Sequence, residues 1–183
     1  CDPRGTPKRG RTFEHSTYKE LGKLETEDFN DFGEHLGGLE YVDADHIGIQ
    51  GWSYGGFMTL LSMTKGAEVF SAGISVAPVT NWRYYDTIYT ERFMQTPSEN
   101  ARGYDDNSPV NHAEKLEGPL LLVHGSADDN VHYQNSMEMV NALVAAGKDF
   151  DFFVYPDRNH GIYGGNTRLH LYNMMLDFVD ENF

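Results

Sequence analysis

The stretch HIGIQGWSYGGFMTLLSMTKG, residues 46–66, changes character at a single serine. Before it, HIGIQ is a short β-branched run that reads as a buried strand. After it, YGGFMTLLSMTKG is a mostly apolar segment that reads as a helix, with Gly66 as its stop. Between them, Gly51-Trp52-Ser53-Tyr54-Gly55 satisfies G-x-S-x-G. In that motif the strand-to-helix turn is so tight that a Cβ two residues before or after the serine is expected to clash. Strand, serine and helix in this order point to a nucleophile held on a strained turn. The plainer alternative is a structural glycine turn.

Working outward, the same alternation continues in both directions. Upstream, TEDFNDFGEHLGGL places Phe29, Phe32 and Leu36 at helical spacing within about Glu20 to Leu39, and Gly37–Gly38 closes that helix. Downstream, SAGISVAP predicts a second strand ended by Pro78. Residues 81–94, NWRYYDTIYTERFM, are aromatic at helical or near-helical spacing, and 95–110 read as a polar loop. NHAEKL predicts a short helix before strand PLLLVHG (119–125). HYQNSMEMVNALVAAG (132–147) predicts an amphipathic helix, DFFVYP a fourth strand, and NTRLHLYNMMLDFVDENF a closing helix. Short apolar strands joined by amphipathic crossovers imply an α/β fold, a mostly parallel sheet with helices on both faces.

Composition narrows the function classes. The 183 residues suit one domain, and 13% aromatic content argues against disorder. No apolar run approaches the roughly 20 residues that span a bilayer. A formal charge of −14 disfavours nucleic acid, which rewards basic patches. Cys1 is the sole cysteine, so no internal disulfide or multi-cysteine zinc site can form, and no cofactor or metal is expected. The opening CDPRGTPKRGRTFE has no initiator methionine and no apolar signal region, and it reads as loop cut from something longer.

If Ser53 is a nucleophile, an acid and a histidine must follow on loops at the carboxyl ends of later strands. Strand PLLLVHG runs into SADDNV, which offers Asp128 and Asp129; strand DFFVYP runs into DRNHG, which offers His160. Local chemistry does not choose between the two aspartates. His15, His35 and His46 precede the serine, and His112 sits in a loop-helix segment. His170 falls within a helix, while His124 and His132 flank the acid loop, where structural roles are commoner. His160 is therefore the base that would take the Ser53 proton. An aspartate would orient it, and the Tyr54 backbone N–H would supply one oxyanion donor. No Walker or G-x-G-x-x-G loop, H-E-x-x-H motif, Cys/His cluster or EF-hand loop is present.

With these loops in place, the chain resembles the prolyl oligopeptidase family of serine peptidases, and within it the dipeptidyl peptidase IV branch. The likeness runs from DPRGTPKRGR through GWSYGG, APVTNWRYYDTIYTERFM and HGSADDNVHYQ to NHGI. It implies a truncated α/β-hydrolase fold in which 1–183 is the C-terminal portion of the peptidase domain. Ser53, Asp128 and His160 would be the triad. Val79, Trp82, Tyr85, Tyr89 and Val131, with Tyr54, would form a pocket for a proline or alanine at the second substrate position, and Asn130 would hold a substrate carbonyl. Flat aromatic walls suit a small rigid ring and reject longer side chains. Without the resemblance, ordinary helix packing would account for the tyrosines.

The resemblance further implies peptide substrates releasing N-terminal dipeptides, no nucleic acid or membrane segment, and a homodimer through the closing helix and 132–147. It also implies a periplasmic or otherwise extracytoplasmic location. The family's strands upstream of HIGIQ, its second oxyanion donor and its β-propeller have no counterpart in this sequence. The chain alone is therefore expected to be nearly inactive, with HIGIQ as an exposed edge. An acylaminoacyl peptidase or oligopeptidase is the nearest alternative, although tyrosines at 85 and 89 argue against it. A non-catalytic binding relative is the other, and such relatives typically lose the serine.

Overall fold

Four parallel strands in the order β1-β2-β3-β4 form one sheet in the structure, a computed structural model that describes residues 1–66 and 68–183. They are β1 (Gly48–Trp52), β2 (Ala72–Val76), β3 (Leu120–Gly125) and β4 (Asp151–Tyr155). Each pairs in parallel with the next, Trp52 opposite Val76, Val76 opposite Val123, and Gly125 opposite Tyr155. Sequential parallel pairing needs a crossover between every pair of strands, and the intervening helices supply them.

Those helices cover both faces, as the pattern predicts. On one face Leu171, Met175 and Phe178 of α7 (Thr167–Asn182) pack on Ile74, Val76, Leu121 and Val123. On the other, Leu60 and Met63 of α3 (Tyr54–Lys65) join Met139 and Leu143 of α6 (Gln134–Ala145) against Leu120 and Leu122. Consecutive residues of β3 thus point to opposite faces, and both are buried, which is why its first four residues, Leu120 to Val123, are all apolar. Burying one such side chain contributes about 1.5–3 kcal/mol.

The structure departs from the sequence reading in four places. Strand β1 begins two residues later than HIGIQ suggests. The Asp43–His46 turn, with His46 Nδ1 2.8 Å from Asp43 Oδ2, holds His46 back, and pairing runs on through Gly51 and Trp52 to the serine. Its β-branched run alone reads as buried, but β1 is a sheet edge, as the resemblance implies, with Gly48 and Gln50 exposed. The aromatic stretch 81–94 is not one helix. A 3-10 turn at Trp82–Tyr84 gives way to extended Tyr85, and α4 (Thr87–Met94) restarts where the Asp86 carboxylate accepts from Tyr89 N–H at 2.8 Å. The predicted loop 95–110 contains α5 (Ala101–Asp106), anchored by the buried Tyr104, whose hydroxyl donates to Gln95 C=O at 2.7 Å. Ahead of the sheet, α1 (Arg11–Glu14) forms inside the opening stretch that reads as loop, one short turn closed by Glu14 N–H to Gly10 C=O, while α2 (Lys23–Gly37) is the helix that Phe29, Phe32 and Leu36 predict.

Candidate active site

Ser53 sits between β1 and α3 at φ 60° and ψ −116°, a conformation that costs a non-glycine residue about 1–3 kcal/mol. The surroundings over-determine it. Its N–H donates to Val76 C=O at 2.8 Å, and its C=O accepts from Phe57 N–H at 3.0 Å. A Cβ on Gly51 would overlap the Gly55 carbonyl, so Gly51 is required by the turn. Gly55 is not: a Cβ there meets nothing within 4 Å, because that side of the turn opens onto a trough. The second close approach falls one residue later, where a Cβ on Gly56 would come within 2.9 Å of Val76 C=O. Gly51→Ala should therefore lower stability by about 2 kcal/mol or more, read as a drop in chemical-denaturation midpoint, whereas Gly55→Ala should change it by less than about 1 kcal/mol.

The relay loops leave β3 and β4 side by side. Ser126 N–H donates to Tyr155 C=O at 2.9 Å and Ala127 N–H to Arg158 C=O at 3.1 Å, so the two loops are stitched by backbone bonds. The two neighbouring aspartates part company here. Asp129 is exposed, while the Asp128 side chain has no solvent exposure and lies 2.7 Å (Oδ2) from His160 Nδ1. Asp128 Oδ1 accepts from the N–H groups of Asn130 and Val131, both at 3.0 Å. Burial alone would raise this carboxyl; the hydrogen bonds from His124, His160 and Asn130 N–H outweigh it and hold the group well below the usual carboxylate range.

His160 presents its other nitrogen, Nε2, away from Asp128, and its own C=O accepts from Trp52 Nε1 at 3.0 Å. The residue before the serine thus anchors the histidine backbone. Among the described residues no hydrogen bond joins the Ser53 hydroxyl to His160; in such sites that bond often tightens only with substrate bound. Tyr54 is the first residue of α3, so its N–H has no acceptor within the helix and is free to meet an oxyanion.

An aromatic box stands beside this relay. Trp82, almost wholly buried, stacks on Tyr89 at 5.7 Å between centroids and meets Tyr85 edge-on at 5.9 Å and Tyr54 at 5.6 Å. Tyr85 and Tyr89 meet at right angles, 5.3 Å apart. Val79 and Val131 are buried in the same cluster. The Tyr85 hydroxyl donates to Asn130 Oδ1 at 2.7 Å, tying the box to the acid loop.

Two residues at the site escaped the sequence reading. Glu25 on α2 is buried; it accepts from the Tyr54 hydroxyl at 2.7 Å and from Gly22 N–H at 3.0 Å. Burial pushes its carboxyl up, and burial together with Glu25 pushes the Tyr54 phenol well above its ordinary value. The second is His124, read as a structural flank, whose Nε2 lies 3.1 Å from Asp128 Oδ2. The L-G-x-x-E spacing before α2 was a capping signal for Glu25, but nothing local links either residue to the serine.

The model of the prolyl oligopeptidase family matches residues 1–183, the whole stretch that holds the serine turn, the Asp128–His160 pair and the aromatic box. The chain belongs to the prolyl oligopeptidase family. Among family members it is 42% identical to prolyl endopeptidase FAP of Mus musculus and 40% identical to dipeptidyl peptidase 4 of Felis catus. Each match covers 100% of this chain and 24% of the relative. The crystal structure of Porphyromonas gingivalis dipeptidyl peptidase 4 superposes with a TM-score of 0.98 at 53% identity, over 100% of this chain and 26% of that one. The four-stranded sheet is thus part of an α/β-hydrolase fold, and the chain spans about a quarter of the length of these family members.

Proposed function

We propose that this chain carries the catalytic relay of a serine-type dipeptidyl peptidase, which releases Xaa-Pro or Xaa-Ala from peptide N-termini through an acyl-enzyme on Ser53. In this reading His160 Nε2 takes the hydroxyl proton as Ser53 Oγ attacks the carbonyl, and Asp128 stabilises the imidazolium that forms. Tyr54 N–H donates to the developing oxyanion. His160 then returns the proton to the leaving amine, and water repeats the sequence to free the enzyme. The observation that carries the substrate class is the Tyr85–Asn130 hydrogen bond of 2.7 Å: box and relay share a loop, so a small ring in the box lies next to the reacting carbonyl. One relative's name, prolyl endopeptidase, supports proline chemistry at such a site, and another's, dipeptidyl peptidase 4, supports dipeptide release.

The test is a substrate panel on the protein expressed from its complete gene. Free-amine Gly-Pro and Ala-Ala anilides are expected to turn over, with N-acetylated and Gly-Leu anilides slower by about 100-fold or more. Preference for the blocked substrates would overturn this reading in favour of an acylaminoacyl peptidase or oligopeptidase.

The same reading assigns a homodimer face to α7. Leu169, Tyr172, Leu176 and Val179 are exposed at helical spacing, with Phe183 at its end. Light scattering on that protein is expected to give twice the chain mass and, for Leu176→Asp, a shift toward the single-chain mass. A monomeric wild type would rule the face out.

A further inference from the structure

Asp128 faces two imidazoles, and only His160 lies on the loop that Trp52 holds beside the elbow. The other, His124, is the penultimate residue of β3 and is fully buried. Its Nε2 lies 3.1 Å from Asp128 Oδ2 and 2.8 Å from Val131 C=O. Both are acceptors, so Nε2 carries the hydrogen. Its Nδ1 lies 2.7 Å from the hydroxyl of Ser136 on α6, which is also fully buried and has no other partner among the described residues. That hydroxyl therefore donates, and Nδ1 accepts. The hydrogen-bond pattern makes His124 a neutral imidazole of one fixed tautomer.

This bears on how Asp128 works. Its Oδ1 is held by the N–H groups of Asn130 and Val131, and its Oδ2 is shared between His124 at 3.1 Å and His160 at 2.7 Å. The ionisable groups around it are His160 from the loop after β4, His124 from β3, and the Tyr85 phenol, which is turned to Asn130; exposed Asp129 is its chain neighbour. A cation on the His124 side would compete with the His160 imidazolium for the carboxylate charge. A neutral donor fixes the oxygen without that competition.

We propose that His124 is a positioning residue of the relay: a neutral imidazole, locked by Ser136, that holds Asp128 Oδ2 in line with His160 and leaves its charge to the imidazolium. The proposal rests on the serine-hydrolase reading above. A carboxylate hydrogen bond lost from a buried relay corresponds to a kcat lower by about 10-fold to 100-fold, with KM unchanged because no substrate contact is removed.

The experiment compares His124→Phe, His124→Gln and Ser136→Ala with wild type, in the protein expressed from its complete gene. It reads kcat and KM on Gly-Pro anilide per fluorophosphonate-titrated site, and the rate of fluorophosphonate labelling. His124→Phe should lose the stated factor in kcat and in labelling rate alike. His124→Gln, whose amide N–H can replace Nε2–H, should stay within about 5-fold of wild type, and Ser136→Ala should fall by about 3-fold. Wild-type rates in His124→Phe, or equal damage in His124→Gln, would overturn the proposal. Should His124→Phe fail to fold, wild-type rates in Ser136→Ala would overturn it instead. A wild type that labels but does not cleave the anilide overturns the substrate reading alone, and labelling rates still test the clamp. A wild type that does not label overturns both.

Discussion

Replacing Ser53 with alanine should lower peptide hydrolysis by about 10⁶-fold and abolish fluorophosphonate labelling, since a relay without its nucleophile retains only the catalysis of binding and the oxyanion donors. The fold should persist, because the Ser53 side chain makes no hydrogen bond among the described residues. Alanine keeps the Cβ, and with it the strain at φ 60°. Glycine removes that strain, so Ser53→Gly should be equally inactive yet more stable than Ser53→Ala by about 1 kcal/mol. Denaturation midpoints of the two variants check this. A serine in a relaxed loop would show no such difference, so the pair separates an elbow from an ordinary glycine turn.

Asp128→Asn should lower kcat by about 10⁴-fold, whereas Asp129→Asn should change it by less than about 2-fold. The two positions differ by one residue, but Asp128 has no exposed side-chain surface and accepts from His160 at 2.7 Å, while Asp129 is exposed. Asparagine at 128 either turns its amide N–H toward Nδ1, leaving the imidazole in the wrong tautomer, or offers Nδ1–H a neutral acceptor that stabilises the imidazolium poorly. Stability should report the same carboxylate. Its value in the folded state is depressed below the unfolded one of about 3.9. Its contribution is therefore fully present above that value and is lost as pH falls through the lower folded one. The stability gap between wild type and Asp128→Asn should accordingly narrow in acid. A gap independent of pH, or matching losses at 128 and 129, would contradict the buried-anion assignment.

Much of this was legible because a parallel sheet buries both faces of its strands. AGISV and LLLVHG are buried along their whole length and so had to be mostly apolar, and their spacing left room only for crossover helices. The elbow was legible for a related reason, since Gly51 admits no Cβ. What the sequence hid depends on contacts made by folding. Gly55 looked as necessary as Gly51, and only the path of the turn shows that Gly56 meets β2 instead. The start of β1 is set by a side-chain bond between Asp43 and His46, and the break in 81–94 by the Asp86 cap; both are local but compete with a stronger periodic signal. Asp128 and Asp129 are chemically identical in sequence, and the backbone N–H pair from Asn130 and Val131 selects one. Glu25 reaches Tyr54 across a sequence separation of 29, which no local pattern encodes.

The most direct test of the central claim is to treat the protein expressed from its complete gene with a fluorophosphonate and map the adduct by mass spectrometry, beside a His160→Ala variant. One adduct on Ser53 in the wild type, slowed by about 10³-fold or more in the variant, is the predicted result. An adduct on another residue, or labelling of Ser53 at the same rate in both proteins, would contradict an elbow serine activated by the His160–Asp128 relay.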